Sequence, residues 1–312
     1  MDAGLNPQDF IGVPFFSPGA NYNQGQPVVY QNQLWLAATT ITAGPWNATQ
    51  WTPAITQVPP LCGRLTYVSS SLLNFAPYNG DRIRINGVVY PIPVGGIYGP
   101  GNTNISIDGV GNKNLAASTR YYVYCYNNAG VLTTDYSTTG HSSSTTSGNI
   151  GTEIKTGDET RSLIGMIFTG SAGNFLDQPQ YRYVRSWFNR QRIYFAAPWV
   201  TWGPYGPSGL QFTGQSANFV AFAGEALQAA ASGAMQIQQS VGTNWGIQLG
   251  LDGNLFGASM TQSASLANYY LSGTCTGSNS VSGDGLHWVG LYAQCTAGYT
   301  ISGQTVTDGT LG

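Results

Sequence analysis

Ionisable side chains are scarce in this chain. Lys and Arg number 11 and Asp and Glu 13 among 312 residues, so charged groups make up 8%, against about 25% in ordinary soluble proteins. The formal net charge of −2 provides no basic field to gather phosphates, which argues against duplex DNA or RNA as a partner. Histidine is rarer still. His141 and His287 are the only two, and neither has a second His or Cys nearby to complete a ligand set, so no metal and no cofactor is expected. The four cysteines, Cys62, Cys125, Cys275 and Cys295, form no CxxC pair, which argues against zinc. They read as buried thiols acting as small hydrophobes, with a Cys275–Cys295 bridge left open. No stretch approaches the ~18 apolar residues of a membrane span. Met1-Asp2-Ala3-Gly4 opens without the cationic start and apolar run of a secretory leader.

Catalytic signatures are missing too. The chain has no GxSxG, no P-loop, no GxGxxG after a strand and no HExxH, so it is read as a non-enzyme. Hydrolysis of a glycosidic bond needs two carboxylates across a cleft, but Asp81, Asp158, Asp252 and Asp284 sit in turn-like contexts. Glu225 is the one acid inside an apolar stretch, Phe222-Ala223-Gly224-Glu225-Ala226-Leu227. It is read as a capping or junction group, with a perturbed acid as the alternative.

What the chain has is glycine (42), tyrosine (19) and a 42% hydrophobic content. That mixture suits short strands and turns rather than amphipathic helices, and low net charge lets copies associate. The expected fold is all-β, in a small N-terminal aromatic β module, a middle β domain and a C-terminal jelly-roll-like β-sandwich. Residues 1–18 read as an arm whose Phe15 and Phe16 dock on their own chain or a neighbour. Residues 19–56 form a compact unit rich in Tyr and Trp, whose rings can supply a core that ~40 residues otherwise lack. Pro59-Pro60 marks the start of the middle region, 57–192. There Asn79-Gly80, Asn86-Gly87 and Asp108-Gly109 are turn signals, and Arg120–Tyr126 is the strongest strand. Ser137–Gly151 reads as an exposed loop. Breaks at 8–12-residue spacing indicate a sandwich over 193–312, with one helical turn conceivable at Ala226–Ala231.

Two sets of residues carry functional expectations. Arg182, Arg185, Arg190 and Arg192 gather four of the 11 cations in one connector. They are expected to pair with carboxylates at a domain or subunit junction, with an anionic ligand or plain solvent as alternatives. The aromatics are candidates for stacking on sugar rings, with Asn, Gln and Ser bonding the hydroxyls. Tyr22, Trp35, Trp46 and Trp51 are the candidates near the N-terminus, with core packing as the competing role. Trp199, Trp202 and Tyr205, in Pro198–Gly206, form either a surface patch or the linkage that seats the last domain.

The pattern Tyr22…Gly25…Val28-Val29-Tyr30…Leu34-Trp35…Ala37…Gly44-Pro45…Trp51 resembles the small chitin- and cellulose-binding modules of bacterial chitinases. That family's exposed ligand aromatics match Trp35 and Trp46. The segments Asn114–Tyr124, Thr156–Met166 and Arg185-Ser186-Trp187-Phe188-Asn189-Arg190 are similar to stretches of phage tail-fibre and head-fibre proteins. The Gly-rich end is similar in texture to trimeric jelly-roll heads of viral fibres. The resemblance implies a virion fibre or spike subunit, assembled in the host cytoplasm. It would be homotrimeric, joined to other virion proteins through its N-terminal region, and bound to host surface glycan through its head. No nucleic acid partner and no membrane insertion are expected, on the charge and hydropathy given above. A head fibre or capsid decoration protein, and a polysaccharide-degrading spike or secreted carbohydrate-active enzyme, are the alternatives.

Overall fold

The computed structural model describes residues 12–31, 33–53, 62–99, 101–197, 202–205, 209–237, 244–263, 269–295, 299–301 and 306–311. Among them the chain is all-β, with one 3-10 turn at Ala48–Gln50. It divides into two compact units, residues 1–60 and 61–312.

The first unit is a three-stranded antiparallel sheet of Pro27–Tyr30, Gln33–Ala37 and Trp51–Pro53. The arm lies along it. The Phe16 amide donates to Val29 O at 2.9 Å and the Val29 amide to Pro14 O at 2.9 Å. Phe16 thereby packs among the core rings, while Phe15 points outward at 68% exposure. Tyr22, Val28, Ala37, Ile41 and Trp51 are the buried core.

The second unit holds both later regions. Its middle part centres on Arg120–Asn128, flanked by Val131–Ser137 and Asp158–Phe168 in an eight-stranded sheet. Asn86 and Gly87, at φ 49° and 78°, turn the hairpin Arg82–Ile85/Val88–Pro91. Asp108-Gly109 and Asp252-Gly253 also place both residues at positive φ, the requirement of two-residue hairpins whose twist matches the strands. Ser137–Gly151 is not simply an exposed loop. It contains the strand His141–Ser143, and Ser144 and Asn149 are buried. Ser144, Thr146 and Asn149 all donate to the Glu159 carboxylate, at 2.5–2.8 Å, which folds the segment down.

The last part is a two-layer sandwich. One sheet runs Asp177–Gln178, Tyr181–Arg182, Gln211–Ala221, Gly285–Cys295, Asn244–Leu251, Asn254–Ser263. The other runs Ile193–Ala196, Val306–Leu311, Ala226–Ile237, Tyr299–Ile301, Trp202–Tyr205, with Tyr269–Ser280 on the free side of Ala226–Ile237. Between them lie Phe195, Phe219, Leu227, Ala229, Ala231, Trp245, Ile247, Leu249, Val289 and Leu291. The conceived helical turn at Ala226–Ala231 is strand. Leu227, Ala229 and Ala231 alternate into the core, and their backbone pairs on both sides, so tertiary packing overrides alanine's helical preference. The connector strand Tyr181–Arg182 pairs with Gln211–Ala221, which weaves the middle and last regions into one unit. Cys125 and Cys275 are buried free thiols, so Cys275 makes no bridge to Cys295; burial pushes them up to about 12 and about 11.

Candidate functional site

The strand Gly285–Cys295 alternates strictly. Val289, Leu291 and Ala293 face the core, which sends Trp288, Gly290 and Tyr292 to the outer face of the sheet. Its neighbours place Phe212 opposite Tyr292, Ser216 opposite Gly290 and Asn218 opposite Trp288. On the other side stand Gln248 opposite Tyr292 and Gly250 opposite Gly290. The row Ser216–Gly290–Gly250 therefore carries no bulk, and the rings on either side lean over it. A Cβ at Gly290 would lie 2.6 Å from the Phe212 ring and 2.9 Å from that of Trp288, and one at Gly250 would collide with Tyr292. Trp288 and Tyr292 are inclined by only 20° with centroids 6.5 Å apart. Phe212 sits between them, 4.8 and 5.5 Å away.

The result is an aromatic face seated on glycine, partly open to solvent, with Phe212 38% exposed. Ser216, Asn218, Gln248 and Gln294 are partly exposed on the same face. None of these residues is charged. Burial raises the Tyr292 phenol, so it stays a neutral donor and acceptor. Such a surface suits a neutral ligand with one apolar side and hydroxyls at its rim.

The residues expected to stack on sugar from the N-terminal unit lie elsewhere and are largely occupied. Tyr22 is 3% exposed and donates its hydroxyl to Ser17 O at 3.0 Å, so it offers no free ring face. Trp46 lies parallel to Tyr30 at 3.9 Å and to Trp51 at 5.0 Å, with the edges of Phe16 and Trp35 against it. Its stacking capacity is used within its own unit. Trp35 is partly exposed, with its indole N–H on Tyr30 O at 3.3 Å. Trp199 lies outside the described residues. Trp202 and Tyr205 are placed by backbone only, on a strand pairing with Tyr299–Ile301. The Trp288-Gly290-Tyr292 set was missed, although its signal is in the sequence: aromatic, glycine and aromatic at alternate positions of a strand whose intervening residues are Val and Leu.

The arginines sit at the seam between the middle sheet and the sandwich. Arg185 Nε bonds both oxygens of Glu225 at 3.0 Å, with the two side chains 2% and 3% exposed. Arg190 Nη1 reaches Glu225 at 2.9 Å while its guanidinium covers Trp187 and Phe222. Arg182 pairs with Asp177 at 3.2 Å, and Arg192 is exposed. Beside them His141 bonds Glu153 through Nδ1 at 2.5 Å and Asp284 through Nε2 at 3.0 Å. Asp284 also accepts from Tyr122 at 3.0 Å and from the Ala223 amide at 2.8 Å. Burial works to raise the Asp284 carboxyl, but the bonds from His141, Ala223 and Tyr122 outweigh it and hold it at about 2. Burial and the Asp284 charge push Tyr122 up to about 12. Both oxygens of Glu225, of Glu153 and of Asp284 have partners within the protein, so these three carboxylates interlock the seam.

No protein-family model matches the chain, and no curated protein matches it in sequence. Among solved structures, it is similar to that of the infectious bursal disease virus Gt strain, at 14% identity, TM-score 0.29, covering 83% of this chain and 73% of that one. An exo-β-1,3-galactanase from Phanerochaete chrysosporium is similar at 8% identity and TM-score 0.19, covering 94% and 68%. At such scores neither likeness carries weight for what this chain does.

Proposed function

We propose that this chain is a virion fibre or spike subunit that attaches to host surface glycan through the outer face of its C-terminal sandwich, without catalysis. The observation that carries the reading is the uncharged aromatic face of Phe212, Trp288 and Tyr292 over Gly250 and Gly290. Flat rings bordered by amide and hydroxyl side chains match the apolar face and hydroxyl rim of a pyranose. The scarcity of charge and the resemblance of the middle segments to phage fibre proteins support the virion setting.

One such face binds weakly. Covering about 100 Å² of apolar surface contributes roughly 2.5 kcal/mol before the cost of association, which belongs to the millimolar range or weaker. Useful attachment therefore needs several copies presented together, as a homotrimer repeated over a particle provides.

The test immobilises the full chain at high density on a glycan array and repeats the measurement with Trp288→Ala and Tyr292→Ala. The expected result is retention of neutral glycans that falls at least tenfold in each variant at unchanged melting temperature. Sedimentation is expected to give a trimer. Retention on other virion proteins but on no glycan would replace the reading with that of a decoration protein. Release of reducing sugar would replace it with an enzyme.

A further inference from the structure

Both histidines of the chain hold the same loop. Residues 281–284 join the strand Tyr269–Ser280 to Gly285–Cys295 and are tied at one end to the segment after Gln211–Ala221: Gly224 N–H donates to Val281 O at 2.8 Å and Val281 N–H to Glu225 O at 3.0 Å. His141, on the middle sheet, grips the loop through the Asp284 carboxylate at 3.0 Å. His287, on the sandwich, grips it through the Gly283 carbonyl, which faces Nε2 at 2.8 Å.

The chemistry of the partners fixes the protonation state. His141 has a carboxylate at each ring nitrogen, Glu153 and Asp284. His287 has the Asp252 carboxylate at Nδ1, 2.7 Å away, and a carbonyl at Nε2. A carbonyl and an ionised carboxylate only accept, whereas a neutral imidazole has one N–H to give. All four bonds exist together only when both rings are imidazolium.

The remaining surroundings agree with that state. Tyr122, Trp187 and Phe222 enclose the His141 ring. Of the nearby cations, Arg120 is bonded to Asp284 O at 2.8 Å, Lys155 to Asp108 at 2.6 Å and Arg190 to Glu225 at 2.9 Å, so none is bonded to the His141 ring. Asp252, Asp284 and the Phe219 ring face His287.

We propose that residues 281–284 form a proton-dependent clasp joining the sandwich to the middle sheet, closed while His141 and His287 are both doubly protonated and loosened when either loses a proton. Burial disfavours the charged rings, but the bonds to Asp284 and Glu153, and to Asp252 and Gly283, outweigh it and raise both histidines above 6.5. A raised pKa contributes stability that is fully present below the unfolded value of about 6.5 and is lost as pH rises through the folded value. The clasp therefore holds below pH 6.5 and loosens as pH rises through the two raised values.

Selective 15N labelling of histidine in the full chain tests this directly, because the spectrum contains only two imidazoles and His141→Gln or His287→Gln assigns them. Both nitrogens of both rings are expected to be protonated below pH 6.5, with midpoints above 6.5. Each unit of upward shift corresponds to a tenfold change in the unfolding constant. Amide exchange in residues 281–285, corrected for intrinsic rate, is expected to rise as the rings deprotonate. A midpoint at or below 6.5 for either ring overturns the proposal on the unmodified protein alone. So does a His141→Gln/His287→Gln double variant whose stability between pH 6 and 9 follows the wild-type curve.

Discussion

Replacing Glu225 by Gln removes one charge from the seam while keeping the side chain's shape. Among the described residues the carboxylate is the only anion bonded to Arg185, whose Nη1 already serves Gln191 O at 2.6 Å and whose Nη2 is buried with no partner among them. With Arg185 2% exposed, the substitution strands a cation away from water. Breaking a buried pair in this way costs about 3–5 kcal/mol, a large part of the ~5–15 kcal/mol that holds a domain folded. Arg185→Gln should cost a similar amount by stranding Glu225, partly relieved because Arg190 still reaches it. Arg190→Gln should cost far less, about 0.5–2 kcal/mol, since that side chain is 29% exposed and contributes a surface-type pair and its contact with Trp187 and Phe222. Urea unfolding of the full chain, followed by tryptophan fluorescence, gives the ranking from midpoints at constant slope. The Arg185→Met/Glu225→Leu pair should recover most of the loss, since apolar replacement of a buried ion pair is often neutral or better. The reasoning fails if Glu225→Gln stays within about 1 kcal/mol of wild type, or if the double replacement costs as much as the two singles summed.

Gly290→Ala places a methyl within 3 Å of the Phe212 and Trp288 rings and of the Gln215 carbonyl. It should destabilise by about 1–3 kcal/mol and abolish glycan retention together, read by calorimetry and by the array. On the acid side, Asp284 is depressed to about 2, so its contribution is present above the unfolded value of about 3.8 and lost as pH falls through about 2. Melting temperature in an acid series should fall more steeply between pH 4 and 3 in the wild type than in a His141→Gln variant, where Asp284 loses part of its depression and therefore part of its pH-dependent contribution. Glu159→Gln should loosen residues 144–152, whose Ser144, Thr146 and Asn149 donors converge on that carboxylate. Limited proteolysis should cut there at least tenfold faster, with the remainder of the chain protected.

Much of the fold is legible in local sequence because hairpin chemistry is local. Asn86-Gly87, Asp108-Gly109 and Asp252-Gly253 demand positive φ at both residues and receive it, and Arg120–Tyr126 is too rich in β-formers to be anything but a strand. Ala226–Ala231 misleads because alanine's preference is for helix, and only the partners at Tyr269–Ser280 and Val306–Leu311 decide otherwise. The partners of the histidines were out of reach for a different reason. His141 meets partners 12 and 143 positions away, and no spacing rule in a β-protein anticipates that. Glu225 stood out as an acid in an apolar setting, and its partners Arg185 and Arg190 belonged to a cluster equally visible, yet their pairing needed three dimensions. The aromatic face was hidden by a question of side. Alternation says that Trp288 and Tyr292 share a face, and only the second layer of the sandwich says which face is outward.

The strand Val306–Leu311 lies between Ile193–Ala196 and Ala226–Ile237, bonded to both. It is a keystone rather than a border. Among the described residues, the sheet's earliest strand has no partner within that sheet until residues near 311 have been synthesised, so this edge of the layer closes only after translation has passed that point. Clipping those six residues would leave a slot in mid-sheet, with two unpaired backbone edges facing each other, and another chain's strand would be the natural thing to fill it.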